Sequence, residues 1–488
     1  MGKSLQNLNH TGFLFQDQSQ SLLWESLIKL PFHIEDILQS RRLCIEMSKP
    51  KEYSWMTKDK LMMYTFVALL ILVGVSAISW WPTSIIASAI AVLIAVAIDF
   101  LSSKVRRGGQ LNTMSAAVFG LIVALSYSLG TPFMHGEAVP AVEAPDAYLY
   151  VALITSIGMV LFKKLQGLAG RKYVNPAAAA KLLVFAPLFN TVLIAQDHLT
   201  TGLLQMWTLA GPLGYTVINN NGVASFAAYI QSSFANPAVP LPATTTASDV
   251  FYLLLVQKYH GWIGGASSLA VIIVGIALFV VCRKYIKWRI TASYLVTVAL
   301  LAFAFSLMYG DGDLFLRAAY HLFIGSSIFL AFFMATDPAT TPLTYTGQVI
   351  FGVGLGVLSL LIQTYMSFFG GGILALIIMN LTTPFLDKIG LLTVSEGKCE
   401  ITKMPKAKVF TTIKTTECIR CGVCMRVCCH LLSPILIKKA FEKGDVKELK
   451  KLRADLCEGC GHCVFVCPAR IDIRSANLRT NALLRKQK

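Results

Sequence analysis

Ten apolar segments between Leu61 and Leu386 constrain this chain more than any other feature of its sequence. Several are close to the ~20 residues that cross the ~30 Å hydrocarbon core of a bilayer. A segment in lipid must satisfy its own backbone hydrogen bonds, so each is predicted to be a helix. The segments run roughly over 61–81, 84–101, 114–129, 149–162, 175–194, 266–281, 290–308, 320–334, 348–366 and 371–386. The predicted fold class is mainly α, with a polytopic membrane domain of about ten transmembrane helices.

Composition supports a membrane protein and excludes two other classes. Hydrophobic residues make up 55% of the 488 residues and charged residues 14%, which is too apolar for several ordinary soluble domains. The same composition excludes a disordered chain, because there is ample apolar surface to bury. Five spans in each half would permit an inverted repeat, as in many transport proteins.

The loops between the segments predict the orientation of the chain. Lys and Arg are retained on the cytoplasmic side of a membrane. Fifteen of them lie before the first segment or in alternate loops, whereas the opposite loops contain only Lys258 and Arg317. Both termini are therefore predicted to be cytoplasmic, and the loop from Ala195 to Gly265 is predicted to lie outside.

A doubled cysteine motif near the C-terminus carries the strongest chemical signal. Each half has the spacing C-x2-C-x2-C-x3-C, which is typical of bacterial ferredoxins with two [4Fe-4S] clusters. In that pattern three cysteines bind one cluster and the fourth binds the other. The first cluster is predicted to bind Cys418, Cys421, Cys424 and Cys467, and the second Cys457, Cys460, Cys463 and Cys428.

Zinc sites and disulfides are less consistent with the arrangement of these cysteines. Structural zinc sites usually have two separated C-x-x-C pairs, not four cysteines in one run. A disulfide scaffold conflicts with the cytoplasmic position predicted for the tail. Cys429, directly after Cys428, is a spare thiol, for which we weigh burial as a small hydrophobe against a redox or ligand role.

Three regions follow from these patterns. Residues 1–60 form a cytoplasmic segment with one amphipathic helix, residues 61–388 the membrane domain, and residues 389–488 the ferredoxin-type domain. The last region contains 20 Lys and Arg against 9 Asp and Glu. This basic tail suits anionic membrane lipid or an acidic electron-carrier protein. Nucleic acid is not an expected partner, because no aromatic stacking pattern accompanies the basic residues.

Four stretches of the membrane domain resemble a known family. They are GWIGGASSLA (261–270), VNPAAAAKLL (174–183), MATDPATTP (334–342) and ALIIMNLTTPFLDK (375–388). This part is similar to RnfD, a membrane protein of Rnf electron-transport complexes, and to its counterpart in the sodium-pumping NADH:quinone oxidoreductase. The tail, with CIRCGVC (418–424) and LCEGCGHCVFVCP (456–468), is similar to the cluster-bearing end of RnfC.

The resemblance implies a subunit of a membrane oxidoreductase in the inner, cytoplasmic membrane. Electrons from a cytoplasmic donor such as ferredoxin would pass through the two clusters to flavin in or across the membrane, with coupling to ion movement. The implied partners are other Rnf-like membrane subunits and an extracytoplasmic protein that carries FMN. NADH would be handled by another subunit, since no Gly-rich nucleotide fingerprint is present.

The implied flavin, FMN or riboflavin, is predicted to be bound without a covalent link. The family's flavinylation motif is absent, because Ser225 replaces its Thr without the leading Asp, and Thr244 to Thr246 stand in the wrong frame. Backbone amides and a hydroxyl of the turn at Gly264, Gly265 and Ser267 are the candidate flavin contacts, since a helix is predicted to start there.

Three ionisable residues lie within or at the edge of apolar segments, namely Asp99, Lys181 and His321. Such residues mark functional sites by default, although Asp99 and Lys181 are close enough to a membrane surface to snorkel.

Two alternative functions remain open. One is a quinone-linked iron–sulfur subunit with b-type haem, which would need paired His, whereas only His321 lies in a span. The other is a non-redox transporter with an iron–sulfur regulatory domain.

Overall fold

The computed structural model describes most of the two predicted domains. The described residues are 56–79, 81–105, 111–127, 133–134, 137–138, 144–166, 172–185, 255–256, 262–309, 314–323, 327–365, 371–391, 394 and 416–486. They are mainly α-helical and belong to two compact units. The membrane unit contains residues 56–391 together with Thr416–Gly422, and the tail unit includes Val423–Lys488. The amphipathic helix predicted in residues 1–60 lies outside the described residues.

The first half of the membrane unit has five α-helices within its described ranges. They are α1 (Lys58–Ser79), α2 (Thr83–Val105), α3 (Thr113–Leu125), α4 (Ala144–Ile157) and α5 (Pro176–Phe185). A π-helix over Gly158–Leu165 continues α4. Two short antiparallel strands, β1 (Phe133–Met134) and β2 (Glu137–Ala138), lie between α3 and α4, with Phe133 opposite Ala138.

The second half includes a 3-10 turn over Ile263–Gly265, directly before its helices. Those helices are α6 (Ser268–Val281), α7 (Trp288–Tyr309), α8 (Leu314–Phe323), α9 (Ser327–Phe329), α10 (Tyr345–Tyr365) and α11 (Gly371–Leu386). A π-helix over Leu330–Met334 continues α9. The predicted segment 320–334 is therefore divided between α8 and α9. The helix α8 starts earlier than predicted because Arg317 interrupts the apolar run without interrupting the helix.

The lengths of these helices confirm a polytopic α-helical membrane protein. Among the described residues, five helices are long and apolar enough to cross a bilayer, at Lys58–Ile78, Thr83–Val105, Ala147–Leu165, Trp288–Phe305 and Tyr345–Ile362. Three shorter apolar helices, α3, α6 and α11, have 13, 14 and 16 residues. At 1.5 Å per residue each is shorter than the ~30 Å core, so its end lies within the membrane if the helix starts at a surface.

Glycines allow neighbouring helices of the membrane unit to approach closely. A methyl group on Gly120 of α3 would lie 2.6 Å from the backbone oxygen of Ala91 on α2. On Gly352 of α10 it would lie 2.6 Å from the backbone oxygen of Ile290 on α7. Such close packing is how helices associate in lipid, because lipid tails are as apolar as the side chains and only tight contact favours the helix pair.

The described part of the tail unit consists mostly of short helices. They are α12 (Val423–Arg426), α13 (Pro434–Lys443), α14 (Val446–Lys451), α15 (His462–Phe465) and α16 (Ile473–Lys486), with a 3-10 turn over Ala454–Leu456. Between the two cysteine motifs, α13 buries Ile435, Ile437 and Ala440 and packs on α16. Gly444 ends α13 in the left-handed conformation, as is usual for a helix C-terminus.

Candidate functional site

The two cysteine motifs have the same backbone conformation. Arg420 and Gly459, each two residues after the first cysteine of a motif, have φ angles of 55° and 70°. Gly422 and Gly461, each four residues after it, have φ angles of 74° and 86°. Positive φ is uncommon outside glycine, so its recurrence at matched positions is a specific feature of the two loops.

The repeat continues beyond these loops with a constant offset of 39 residues, as from 418 to 457. A four-residue helix follows each loop, first α12 and then α15. Leu431 and Arg470 then take positive φ angles of 56° and 52°, and α13 and α16 start at Pro434 and Ile473. The repeated spacing of the cysteines is thus accompanied by a repeated backbone, as expected for a pair of equivalent cluster-binding loops.

Backbone amides point at sulfur atoms in both loops. The N–H of Arg420 donates to Cys418 Sγ at 3.4 Å. In the second loop burial raises the pKa of Cys457, and the N–H of Gly459 opposes this by donating to its sulfur. Hydrogen bonds from amides to thiolate sulfur stabilise the negative charge that a cluster ligand carries.

The four thiols predicted to bind the second cluster share one environment in the tail unit. Burial, together with smaller contributions from the charges of Cys460 and Cys457, raises the pKa of Cys428 to about 12. Burial also raises the pKa of Cys463, again with contributions from Cys460, Cys428 and Cys457. Cys428 and Cys463 therefore lie close enough to the other predicted ligands for the charge of those thiols to raise their pKa.

The chemistry of these thiols is compatible with a [4Fe-4S] cluster. Within the described ranges no three or more His, Cys, Asp or Glu side chains lie close enough to hold one metal ion. A [4Fe-4S] cluster instead binds each thiolate through a different iron, so its ligands surround a cube and not one ion. Four coupled thiols with amide donors at their sulfurs suit that arrangement. Of the other predicted ligands, Cys418 and Cys421 belong to the membrane unit, and Cys424 and Cys467 to the tail unit.

Cys429 has a contact that the sequence did not predict. Its side chain is hydrogen-bonded to Cys460, and this is the largest cause of a pKa lowered to about 4 for the Cys460 thiol. Burial opposes the shift, and His462 adds to it. Cys429 is only partly buried. The one indication of this contact in the sequence is that Cys429 directly follows Cys428, a predicted ligand of the second cluster.

Asp99 lies in a buried polar network at one end of α2. Its side chain is 2% exposed, so it does not snorkel as the sequence suggested. Asp99 Oδ2 accepts from the Asn112 N–H at 2.9 Å, and Oδ1 accepts from Lys164 Nζ. Lys58 Nζ donates to Asn112 Oδ1 at 2.8 Å. This network joins the ends of α1, α2 and α3 to the first π-helix, which is the geometry of a structural brace.

Lys181 is also buried instead of snorkelling, with 6% exposure on α5. Its ammonium donates to the backbone carbonyl of Ser126 and lies 4.4 Å from the ring centroid of Trp262. Trp262 packs edge-on against Phe329, with 6.0 Å between ring centroids. The carbonyl at the end of α3 and the aromatic ring satisfy a cation that lipid would not solvate.

The predicted flavin contacts lie beside this lysine in a tightly packed turn. Gly265 N–H donates to Trp262 O at 2.8 Å, and Ser267 Oγ accepts from Ala270 N–H at 3.3 Å as the N-cap of α6. A methyl group on Gly264 would lie 2.7 Å from both Leu125 and Phe329. The Gly265 amide and the Ser267 hydroxyl thus already have protein partners. Flavin binding at Gly264, Gly265 and Ser267 stays a prediction.

A cavity of about 140 Å³ was not predicted from the sequence. Residues of both π-helices line it, including Lys163 and Phe333, together with Lys172 and the polar side chains of Asn175 and Asp337. π-Helical turns are rare and are frequently found at functional sites. The cavity therefore combines aromatic, basic and amide groups at a place where both halves of the membrane unit contribute.

Two matching turns flank this cavity. Asn175 Oδ1 accepts from the N–H groups of Ala177 and Ala178 at 3.0 and 3.3 Å. Asp337 Oδ1 likewise accepts from the Ala339 N–H at 3.2 Å. Both residues precede Pro-Ala in the sequence, and Asn175 Nδ2 also donates to Met334 O at 3.1 Å. The Asn-Pro-Ala and Asp-Pro-Ala turns thus share a sequence pattern and a hydrogen-bond pattern.

The remaining sequence candidates lie elsewhere. His321 is buried in α8, where the Ser327 hydroxyl donates to its backbone oxygen at 3.3 Å. Ser225 and Thr244 to Thr246 lie outside the described residues.

Comparison with known proteins identifies the membrane unit. A family model described as the NQR2, RnfD, RnfE family matches residues 47–391. The chain is 28% identical over 309 residues to the D subunit of the Na(+)-translocating ferredoxin:NAD(+) oxidoreductase complex of Acetobacterium woodii, covering 63% of this chain and 80% of the relative. It is 28% identical over 264 residues to the D subunit of the proton-translocating ferredoxin:NAD(+) oxidoreductase complex of Clostridium ljungdahlii, covering 53% and 72%.

A third relative covers more of the chain. The D subunit of the ion-translocating oxidoreductase complex of Salmonella arizonae is 27% identical over 367 residues, covering 70% of this chain and 95% of the relative. The family match ends at residue 391, before the first cysteine motif. Since that match includes α1 to α11 and well over half of the residues, the chain belongs to the NQR2, RnfD, RnfE family of membrane proteins.

Proposed function

We propose that this protein is a membrane-bound electron-transfer subunit of an Rnf-like complex. Electrons from a cytoplasmic donor reach two [4Fe-4S] clusters in the tail and pass to a flavin in the membrane unit, in a complex that also moves ions. The family membership and the names of the relatives support the membrane half of this proposal. The repeated backbone of the two cysteine loops is the single observation that carries the cluster half.

The ligand sets follow the spacing of the two motifs. Cys418, Cys421, Cys424 and Cys467 would hold the first cluster, and Cys457, Cys460, Cys463 and Cys428 the second. Each cluster, when bound, accepts and releases one electron at a time. The protein contributes thiolates, amide donors at their sulfurs and burial, which together adjust the reduction potential.

Lysines exposed on the tail unit support an acidic protein as the electron donor. Lys443, Lys447, Lys450 and Lys451 are exposed on α13 and α14. A basic surface of this kind steers an acidic carrier such as ferredoxin toward the clusters and makes association dependent on ionic strength. Binding to anionic lipid is the alternative use of the same surface. Lipid vesicles that compete with ferredoxin for the tail would support that alternative.

The flavin of the proposal is FMN or riboflavin held by packing and hydrogen bonds. The predicted contacts are at the Gly264, Gly265 and Ser267 turn near Lys181, which would have to open to receive the ring. The cavity of about 140 Å³ lined by Lys163 and Asn175 is smaller than the ~300–1,000 Å³ of typical ligand pockets and would hold only part of a flavin. A flavin bound in the membrane unit would take up electrons one at a time from the clusters and pass them to redox groups of other subunits.

We further propose that the protein lies in the inner membrane with both termini in the cytoplasm. Its proposed partners are other Rnf-like membrane subunits and an extracytoplasmic protein that carries FMN.

Cofactor analysis of anaerobically purified protein tests the proposal. We expect about eight iron and eight acid-labile sulfide per chain, and flavin but no haem. Haem with clusters would support the quinone-linked alternative, and clusters alone would support a transporter with a regulatory domain. Zinc in place of iron would refute the cluster assignment.

Adjacent cysteines provide a matched pair of variants. Cys428→Ser should lose about half of the iron, because it removes a ligand of the second cluster. Cys429→Ser should keep all of it, because Cys429 is predicted to be no ligand. Equal iron loss from the two variants would show that the ligand assignment is wrong.

A further inference from the structure

A buried ion pair joins the first cysteine loop to the end of the last membrane helix. Arg420 Nη2 donates to Asp387 Oδ2, and both residues are 6% exposed. Asp387 Oδ1 also accepts from the Leu343 N–H at 2.8 Å. Since Arg420 stands between Cys418 and Cys421, these contacts hold the loop against the polypeptide around residues 343 and 387. All of these residues belong to the membrane unit.

Arg420 occupies a backbone position that favours glycine. Its φ angle is 55°, and the equivalent residue of the second loop is Gly459 with a φ angle of 70°. Left-handed backbone is unfavourable for any residue with a Cβ atom, and glycine avoids that cost. An arginine at this position is therefore explained by what its side chain does, namely the ion pair with Asp387.

A second cation lies buried in the same region. Lys287 Nζ donates to Pro338 O at 3.0 Å and to Thr341 O and Oγ1 at 2.9 Å. Burial lowers the pKa of Lys287 to about 7, with a further contribution from Arg420, while Asp387 and Cys421 raise it. Asp387 thus carries its charge among two cations and a predicted cluster ligand. The net charge near Cys421 therefore depends on whether the positive charge of Arg420 balances the negative charge of Asp387.

We propose that the Arg420–Asp387 pair is a positioning pair that fixes the first cysteine loop against the end of α11 and controls the reduction potential of the cluster bound by Cys418 and Cys421. A cluster held here would lose one electron when it reduces a flavin of the membrane unit by one electron, and the pair would set how readily the cluster gives that electron up. This inference rests on the proposed function.

Three variants separate an electrostatic role from a purely structural one. Arg420→Gly copies the second loop, keeps the backbone favourable and leaves Asp387 as an uncompensated anion. Asp387→Asn keeps an acceptor for Leu343 and leaves Arg420 as an uncompensated cation. The double variant removes both charges. Midpoint potentials of the two clusters are measured by redox titration of the purified full-length protein, with electron paramagnetic resonance as the readout.

The expected shifts have opposite signs. A nearby anion disfavours the addition of an electron, so Arg420→Gly lowers the potential of one cluster, and Asp387→Asn raises it. Each single change should alter the ratio of oxidised to reduced cluster about tenfold at a fixed potential, which is about 59 mV for a one-electron couple. The double variant should return close to the native value, and the other cluster should not change.

Controls distinguish failure of this inference from failure of the proposed function. Arg420→Lys keeps the charge and should keep the potential. Arg453→Gly makes the same substitution at another positive-φ arginine, whose ion pair with Asp455 is partly exposed, and should shift neither cluster. Protein that contains no iron would refute the proposed function itself. Iron-loaded variants with no shift, with shifts of the same sign, or with equal shifts of both clusters would overturn the positioning role.

Discussion

Replacement of Asp99 tests whether a buried carboxylate in this membrane unit braces helices or takes part in ion movement. Asp99 accepts two charge-assisted hydrogen bonds, from the Asn112 N–H and from Lys164. A hydrogen bond to a charged group contributes ~1.5–3 kcal/mol. Loss of one partner from a buried pair costs ~3–5 kcal/mol when the other charge stays buried.

The exposure of Lys164 determines which part of these free-energy ranges applies when Asp99 is replaced. Its side chain is 30% exposed, so the ammonium can turn to water after the carboxylate is removed. We therefore expect Asp99→Ala to lower the free energy of unfolding by about 3 kcal/mol, the low end of the range for a broken buried pair. Asp99→Asn keeps one acceptor oxygen and should cost about half as much.

The assay is unfolding of the purified protein in detergent, followed by tryptophan fluorescence, together with ion transport in proteoliposomes. Asp59→Asn is the matched control, because Asp59 is an exposed acid in the first turn of α1 and should change stability by less than about 0.5 kcal/mol. Asp99→Asn should keep both electron transfer and ion transport. Loss of ion transport in Asp99→Asn with no loss of stability would refute the brace and assign Asp99 to the ion path.

Three further predictions concern the ligands, the topology and the flavin. Cys467→Ser should remove the cluster bound by Cys418 and keep the other, so a single intact cluster signal should remain; loss of the Cys457 cluster instead would reverse the assignment. A reporter that works only in the cytoplasm should be active when it is fused after Lys488. Activity at this position only of a reporter that works outside the cytoplasm would overturn the predicted orientation. Denatured protein on a gel should show no flavin fluorescence, and a fluorescent band that Ser225→Ala abolishes would show covalent attachment.

Much of the membrane fold was predictable from the sequence because a bilayer leaves few choices. An apolar run in lipid must become a helix, so α1, α2, α7 and α10 follow directly from hydropathy. The first and last residues of the helices were harder to predict where the apolar run is short. Arg317 hid the start of α8, and the sequence did not indicate the π-helices after α4 and α9.

The cysteine loops were predictable for a different reason. Their chemistry depends on spacing over a few residues, and the same spacing sets the turn at Gly422 and Gly461. The 39-residue repeat is visible in the sequence as repeated cysteines, and the structure adds that the backbone repeats with them.

Polar contacts between distant residues depended on the tertiary structure alone. Arg420 and Asp387 are 33 residues apart, Lys181 and Ser126 are 55 apart, and Asn175 and Met334 are 159 apart. Local spacing carries no information about which helix ends meet, so hydropathy suggested snorkelling where Lys181 is in fact buried. The sequence by itself determined the helices and the spacing of the thiols, because both follow from short-range patterns. Only the packing of those helices decided which charges are buried together, because a buried charge needs a partner that the fold brings to it.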